Sequence, residues 1–380
     1  LFKRMFPDSA IVQKYACKRS KTTMIMNSVM ATKFIEEPLK DAQEGPFTLC
    51  LDSSSDTEDK LFPILRRFCQ GATGEIKVGL LDLPVLTVGT VDDLISCIDQ
   101  IFQQMKIPWQ NCVGFSCDNI SVNVGRHRSL KVHIENRAPK LYTLNCPCHL
   151  ISLCALKAAS SLLVNGDEVL IRVFYYLDKS ARWKHLLKEH AEFVNVEHRK
   201  ILKHRHARWL SIGKRIDRIL MIMPTLRLFF QSEDLEKKRQ NRDVCDFVCS
   251  PKTELYLLFI SSAIAVFEDV NKVLQYEAPI IPMVHGSLME LLRKVMIEFI
   301  RTEVLTEASS LLATDYSDVN NQVPNRDLFI GFATKQYLLR TVELTESQIT
   351  VLYSNLRNFY PTAVKYIVKK FPLNYPILTF

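Results

Sequence analysis

Two aspartates sit in settings where carboxylates can do metal chemistry. Asp52 closes the apolar run Phe47–Leu51, and Asp118 closes a second run, Val113–Cys117. Short apolar runs that end in polar turn residues read as buried strands. Each would deliver its carboxylate at a strand's C-terminal tip. Two carboxylates on neighbouring strand ends could hold a divalent cation, magnesium or manganese, at one edge of a sheet and support phosphoryl chemistry there. The alternative is that each carboxylate only caps the turn or helix after its strand.

Two further groups carry chemistry by residue type. Cys146, Cys148 and His149 are metal-ligating side chains. Structural zinc takes four ligands, usually in spaced pairs. Here only Pro147 separates the thiols, and no second pair follows at a matching distance. Zinc is therefore not expected, and the thiols read as small apolar residues at a strand end. Between Arg182 and Arg218 basic residues crowd together, among them Lys203, Arg205, Arg208, Lys214 and Arg215. These could contact phosphates. Trp209, directly after Arg208, could stack on an unpaired base. The other reading of this run is a solvated helix face with a packing Trp.

The elements that must position these residues follow from periodicity. Residues 22–36 predict a helix ending before Pro38. Residues 47–51, 60–69 and 75–83 predict three strands, the last two joined by the Gly71–Gly74 turn, with Pro63 marking an edge or bulge. Residues 91–106 switch to a helical period behind Asp92 and Asp93. Strand 113–117, a helix or loop-helix over 121–137, strand 141–146 and a helix over 150–163 follow. That order gives an α/β mixed sheet with parallel crossovers. From about 165 onward only helical patterns are expected: 169–179, 182–193, 211–230, 254–275, 286–299, 335–342 and 345–353. Residues 231–251 and 314–326 read as loops. The expected organisation is a helical lead-in over 1–46, a sheet-bearing core over 47–165 and a helical domain over 166–380.

Composition bounds the partners. Of 380 residues, 47% are hydrophobic and 24% charged, which is globular rather than disordered. The net charge of +8 suits a polyanionic partner without requiring one. Eleven cysteines scattered through a chain with no visible signal peptide read as reduced and intracellular. No apolar run reaches the roughly 20 residues of a membrane span, so no membrane partner is expected. Gly-rich phosphate loops, nucleophile elbows and kinase patterns are not found.

Five stretches together resemble transposases of the hAT superfamily, and most closely the domesticated, transposase-derived vertebrate proteins of that group. They are LDSSSD at 51–56, VGFSCDNISVNVGRHRSL at 113–130, CPCHL at 146–150, ARWLS at 207–211 and VFEDVNKVLQYEAPIIPMVH at 266–285. Ala207 stands where the family has Thr. The resemblance implies a ribonuclease-H-like core followed by a large all-α insertion domain. It makes Asp52 and Asp118 the first two of three metal-binding carboxylates, and Trp209 the residue stacking near a cut site. It leaves Cys146, Cys148 and His149 as a structural block. The third carboxylate would be a glutamate in a block with an adjacent Arg, and this sequence contains no Glu-Arg step. The first residue is Leu, and neither the family's zinc finger nor its C-terminal dimerisation block is recognised. The chain thus reads as a fragment. The function implied is a DNA-associated, nuclear, transposase-derived protein without DNA-cleaving activity. Two alternatives stand beside it. One is a protein-interaction scaffold, partnered or self-associating, with no DNA role. The other is a metal-dependent transposase or nuclease whose third carboxylate lies beyond this chain.

Overall fold

The computed structural model describes residues 7–11, 19–30, 39–52, 54–56, 59–71, 73–86, 90–119, 121–164, 166–178, 185, 188–189, 211–232, 242–276, 280–341 and 344–374. It shows an α/β protein with an open mixed sheet and many helices. The chain divides into two compact units, Leu1–Cys146 and Pro147–Phe380. The sequence-based boundary stood at 165.

The first unit holds the sheet. After helix α1 (Arg19–Ile25), which runs into a π-helical turn over Met26–Met30, come strands β1 (Phe47–Leu51), β2 (Ser54–Asp56), β3 (Asp59–Leu61), β4 (Ile64–Cys69), β5 (Ile76–Asp82) and β6 (Val85–Leu86). Helix α2 (Val91–Gln104) leads to β7 (Cys112–Cys117). Helices α3 (Ser121–Val124) and α4 (Leu130–Arg137) lead to β8 (Tyr142–Asn145). The main sheet has the order β5-β4-β1-β7-β8, and β2-β3-β6 form a small second sheet. β4 lies antiparallel to β1 and β5, while β7 runs parallel to both β1 and β8. The expected single strand over 60–69 is cut at Pro63, which has no N–H to give a ladder. Its halves, β3 and β4, go to different sheets.

One face of the main sheet builds the core. Phe47, Leu49 and Leu51 alternate inward along β1, and Ile64 and Phe68 do so along β4. Helix α2 covers them with Leu94, Ile95, Ile98, Ile101 and Phe102, the stripe its period predicts. Its N-cap is Thr90, whose hydroxyl accepts from the Asp93 N–H at 3.2 Å, with Asp92 and Asp93 set against the positive helix end. Phe102 packs edge-on to Phe47 at 5.9 Å and against Trp109 at 4.4 Å. Arg137 from α4 then clamps Asp99 of α2 through Nε at 2.9 Å and Nη2 at 2.6 Å, while Trp109 Nε1 donates to the same carboxylate at 3.2 Å. Arg66 breaks the apolar pattern of this face. It is fully buried, its guanidinium carbon lies 3.7 Å from the Phe68 ring centre, and burial pushes its pKa down to about 10 against the pull of Asp41.

The second unit is built of α5 (Pro147–Ala159), α6 (Gly166–Asp178), α7 (Ser211–Ser232), α8 (Arg242–Cys249), α9 (Pro251–Leu274), α10 (Ile281–Ile297), α11 (Thr302–Glu307), α12 (Phe332–Thr341), α13 (Glu346–Arg357) and α14 (Phe359–Lys370). The 24-residue α9 is the hub and packs on α5, α7, α10 and α12. It buries Leu255, Tyr256, Phe259, Ile260, Phe267 and others around its circumference, as a central helix must. Helix α5, expected over 150–163 as part of the sheet-bearing core, packs on α14 and α9 instead. Its Cys154 thiol donates to the Ala363 carbonyl at 3.5 Å. Helix α8 lies inside the stretch expected to be a loop. Its Val248 is buried, and Arg227 Nε of α7 donates to the Val248 carbonyl at 3.3 Å. The helix expected over 22–36 is described as far as Met30, as α1 and its π-helical turn, while most of the one expected over 182–193 lies outside the described residues.

Candidate functional site

Asp52 and Asp118 end up at the same edge of the sheet. β1 and β7 run parallel, with Cys50 beside Ser116. Two residues further along each strand come Asp52 and Asp118. Parallel neighbours lie about 4.8 Å apart, so the two carboxylates share one strand-end edge. Asp52 is exposed and Asp118 half-buried. The close approach of these strands depends on Gly114 of β7. A Cβ there would meet Thr48 Oγ1 of β1 at 2.5 Å and its Cγ2 at 3.1 Å.

The turn after β7 fixes Asp118. The Nδ2 group of Asn123, a buried residue of α3, donates to Asp118 Oδ1 in a very short contact. Asn119 Nδ2 donates to the Cys146 carbonyl at 3.0 Å and so ties the ends of β7 and β8 together. The side-chain carbonyl of Asn119 is buried and accepts no hydrogen bond among the described residues. It is a hard oxygen one residue from Asp118, the donor type that magnesium and manganese prefer. By donor type, the oxygens of Asp52, Asp118 and Asn119 could serve a divalent cation. Among the described residues, no three His, Cys, Asp or Glu side chains form a group that could hold a metal ion. Asn119 and Asn123 were not singled out by type or spacing. The signal was present in DNISVN, where amide side chains one and five positions after Asp118 bracket a strand-to-helix turn.

The thiols of these two strands are held protonated. Burial pushes the Cys50 thiol up to about 11 and the Cys112 thiol up to about 12. Burial, with Asp118 and Cys146 nearby, pushes Cys117 higher still. A thiol that stays neutral packs as a small apolar group and is neither nucleophile nor ligand. Cys146 follows β8, its N–H donating to the Cys117 carbonyl at 3.2 Å. Cys148 is buried and His149 half-buried in the first turn of α5. The Cys/His block thus spans the boundary between the two units.

Of the basic candidates, Lys203, Arg205, Arg208 and Trp209 lie outside the described residues. Lys214 is exposed on α7. Arg215 is only 5% exposed, so its guanidinium belongs to the helical core and not to a phosphate-facing surface. Among the described residues no helix is long and apolar enough to cross a membrane. No protein-family model matches the chain.

Proposed function

We propose that this chain is a transposase-derived, DNA-associated protein whose ribonuclease-H-like sheet holds a divalent cation between Asp52 and Asp118 without cutting DNA. The observation that carries the reading is the parallel register of β1 and β7, which brings two carboxylates from distant parts of the sequence to one strand-end edge. The mixed sheet with its two parallel crossovers supports it, as do the five family-like stretches and the net charge of +8. Bound there, magnesium or manganese would neutralise phosphate charge and draw a DNA backbone to the edge. Asp118 and Asn119 would supply its inner oxygens and Asp52 an outer one. Asn123 orients Asp118 but occupies one of its oxygens. Two-metal cleavage bridges two ions about 4 Å apart with the help of a third carboxylate, and the Glu-Arg step that the resemblance leads one to expect is absent from this sequence. The reading is accordingly of a protein that holds DNA in the nucleus.

The test is duplex-DNA binding by the whole chain, followed by fluorescence anisotropy over 50–300 mM salt, with a cleavage assay in manganese alongside. The expected result is binding whose logarithm falls linearly with the logarithm of salt, with intact DNA. No binding at the lowest salt would overturn the reading in favour of a protein-interaction scaffold. Cleavage that disappears in the Asp52→Asn, Asp118→Asn double variant would overturn it in favour of a nuclease.

A further inference from the structure

Among the described residues, no strand pairs with the outer edge of the main sheet. β5 pairs with β4 on one side only, because it ends the strand order β5-β4-β1-β7-β8. Along β5, Ile76, Val78 and Leu80 alternate on one face and are 42%, 63% and 48% exposed. Three aliphatic side chains at i, i+2 and i+4 on a solvent-facing edge are unusual, since native edges are normally blunted by charge. The backbone direction is fixed as well. Gln70 N–H donates to the Glu75 carbonyl at 2.8 Å, and Phe68 and Arg66 stand opposite Lys77 and Gly79. In an antiparallel ladder these inward positions alternate with outward ones. The free N–H and C=O groups of the edge therefore belong to Ile76, Val78 and Leu80, the residues that also carry the exposed aliphatic side chains.

We propose that this edge is a self-association surface, on which β5 of a second copy of the chain pairs antiparallel about a two-fold axis through Val78. The sequence of β5 selects that partner and register. With the axis at Val78, Ile76 faces Leu80, Val78 faces Val78, and every pair on the exposed face is aliphatic. On the other face Lys77 meets Gly79, which has no side chain to oppose it, and Lys77 already has an ion-pair partner in Glu75 at 3.6 Å. The two neighbouring registers fail. An axis at Lys77 sets two ammonium groups directly opposite, and an axis at Gly79 sets Ile76 against Asp82. A strand that pairs well with itself in a single register is isologous by construction. The β-bulge that shifts the register where β5 meets Ile64 and Leu65 limits the pairing to the residues before it. This surface is separate from the carboxylate edge and does not depend on the function proposed above.

The test is sedimentation velocity of the full chain between about 5 and 100 µM. A dimer is expected for the natural sequence. Val78→Lys, at a position exposed enough to accept it, sets like charges opposite on the axis and should weaken the dimer at least tenfold. Val78→Cys should cross-link under mild oxidation, because hydrogen-bonded partners in such a pair have Cα atoms about 5.5 Å apart, inside the disulfide range. Peptide mapping must then find position 78 joined to position 78. A monomer at every concentration, a dimer unaffected by Val78→Lys, or cross-links through other cysteines only, would each overturn the proposal.

Discussion

Asp52→Asn separates a metal-holding pair of carboxylates from a pair of turn caps by the sign of its effect. In the folded chain the two strand ends place Asp52 and Asp118 side by side, on strands about 4.8 Å apart. Two like charges at about 5 Å repel by roughly 0.8–3 kcal/mol as the effective dielectric falls from about 80 to about 20. Asp52 is exposed, so the lower end applies, about 1 kcal/mol. Without metal, Asp52→Asn relieves that repulsion and leaves the Asn123 contact to Asp118 intact. In a unit the size of Leu1–Cys146 it should raise the melting temperature by about 3 °C. With manganese the order reverses. A weak oxygen site with a Kd of about 1 mM gains about 1.4 kcal/mol at about 10 mM metal, or about 4 °C. Asp52→Asn forfeits that gain. Scanning calorimetry of both proteins in EDTA and in manganese reads all four numbers. If Asp52→Asn melts lower in EDTA, the carboxylate is a cap. If manganese raises both proteins equally, the ion binds elsewhere, and the paired-carboxylate argument is wrong.

Two further predictions probe the frame around the site and the helical unit. Gly114→Ala drives a Cβ into Thr48 and should cost about 1–3 kcal/mol by denaturant melt, with most of the loss recovered in the Gly114→Ala, Thr48→Ala double variant. Tyr256 is buried in α9 and donates to Asn355 Oδ1 at 2.8 Å, and burial pushes its pKa from 10 up to about 12. The fold favours the protonated phenol, so this contribution is fully present below pH 10 and is lost as pH rises from 10 towards 12. It amounts to about 3 kcal/mol, and Tyr256→Phe should flatten that limb of the stability–pH curve.

Much of the first unit was legible in the sequence, for reasons specific to its residues. β1 and β7 are short apolar runs closed by aspartates, and α2 carries an unbroken apolar stripe behind a capped, acidic first turn. The Pro63 break was visible, but its consequence was not. A missing N–H says that a ladder stops, and says nothing about which sheet the next strand joins. Helix α8 was hidden because RDVCDFVC has only three strongly apolar residues within a charged stretch. It is held in place by tertiary partners, Val248 in the core and the Arg227 bond to its carbonyl. Helix α5 was expected with the sheet because a largely apolar helix next to a strand looks the same whichever core takes it. Burial of Arg215 was not legible either, since a basic residue in a basic run carries no mark of the face it occupies.

The carboxylate edge shows why such a site can be read only in part from a linear chain. Sequence identifies two strands that each end in Asp, but whether the ends meet depends on direction. Had β7 paired antiparallel to β1, Asp118 would lie at the other end of a five-residue strand, about 16 Å away. It is the crossover through α2, the helix whose apolar stripe packs on the face of β1, that returns the chain to the same end and makes the strands parallel. The residues that tune the site arrive by the same geometry. The amides of Asn119 and Asn123 reach the strand ends, one donating to the Cys146 carbonyl after β8 and the other to Asp118 after β7. The site therefore rests on the α2 crossover as much as on its aspartates. A change that unseats Ile98 or Phe102 should weaken the proposed metal binding while leaving every candidate ligand in place.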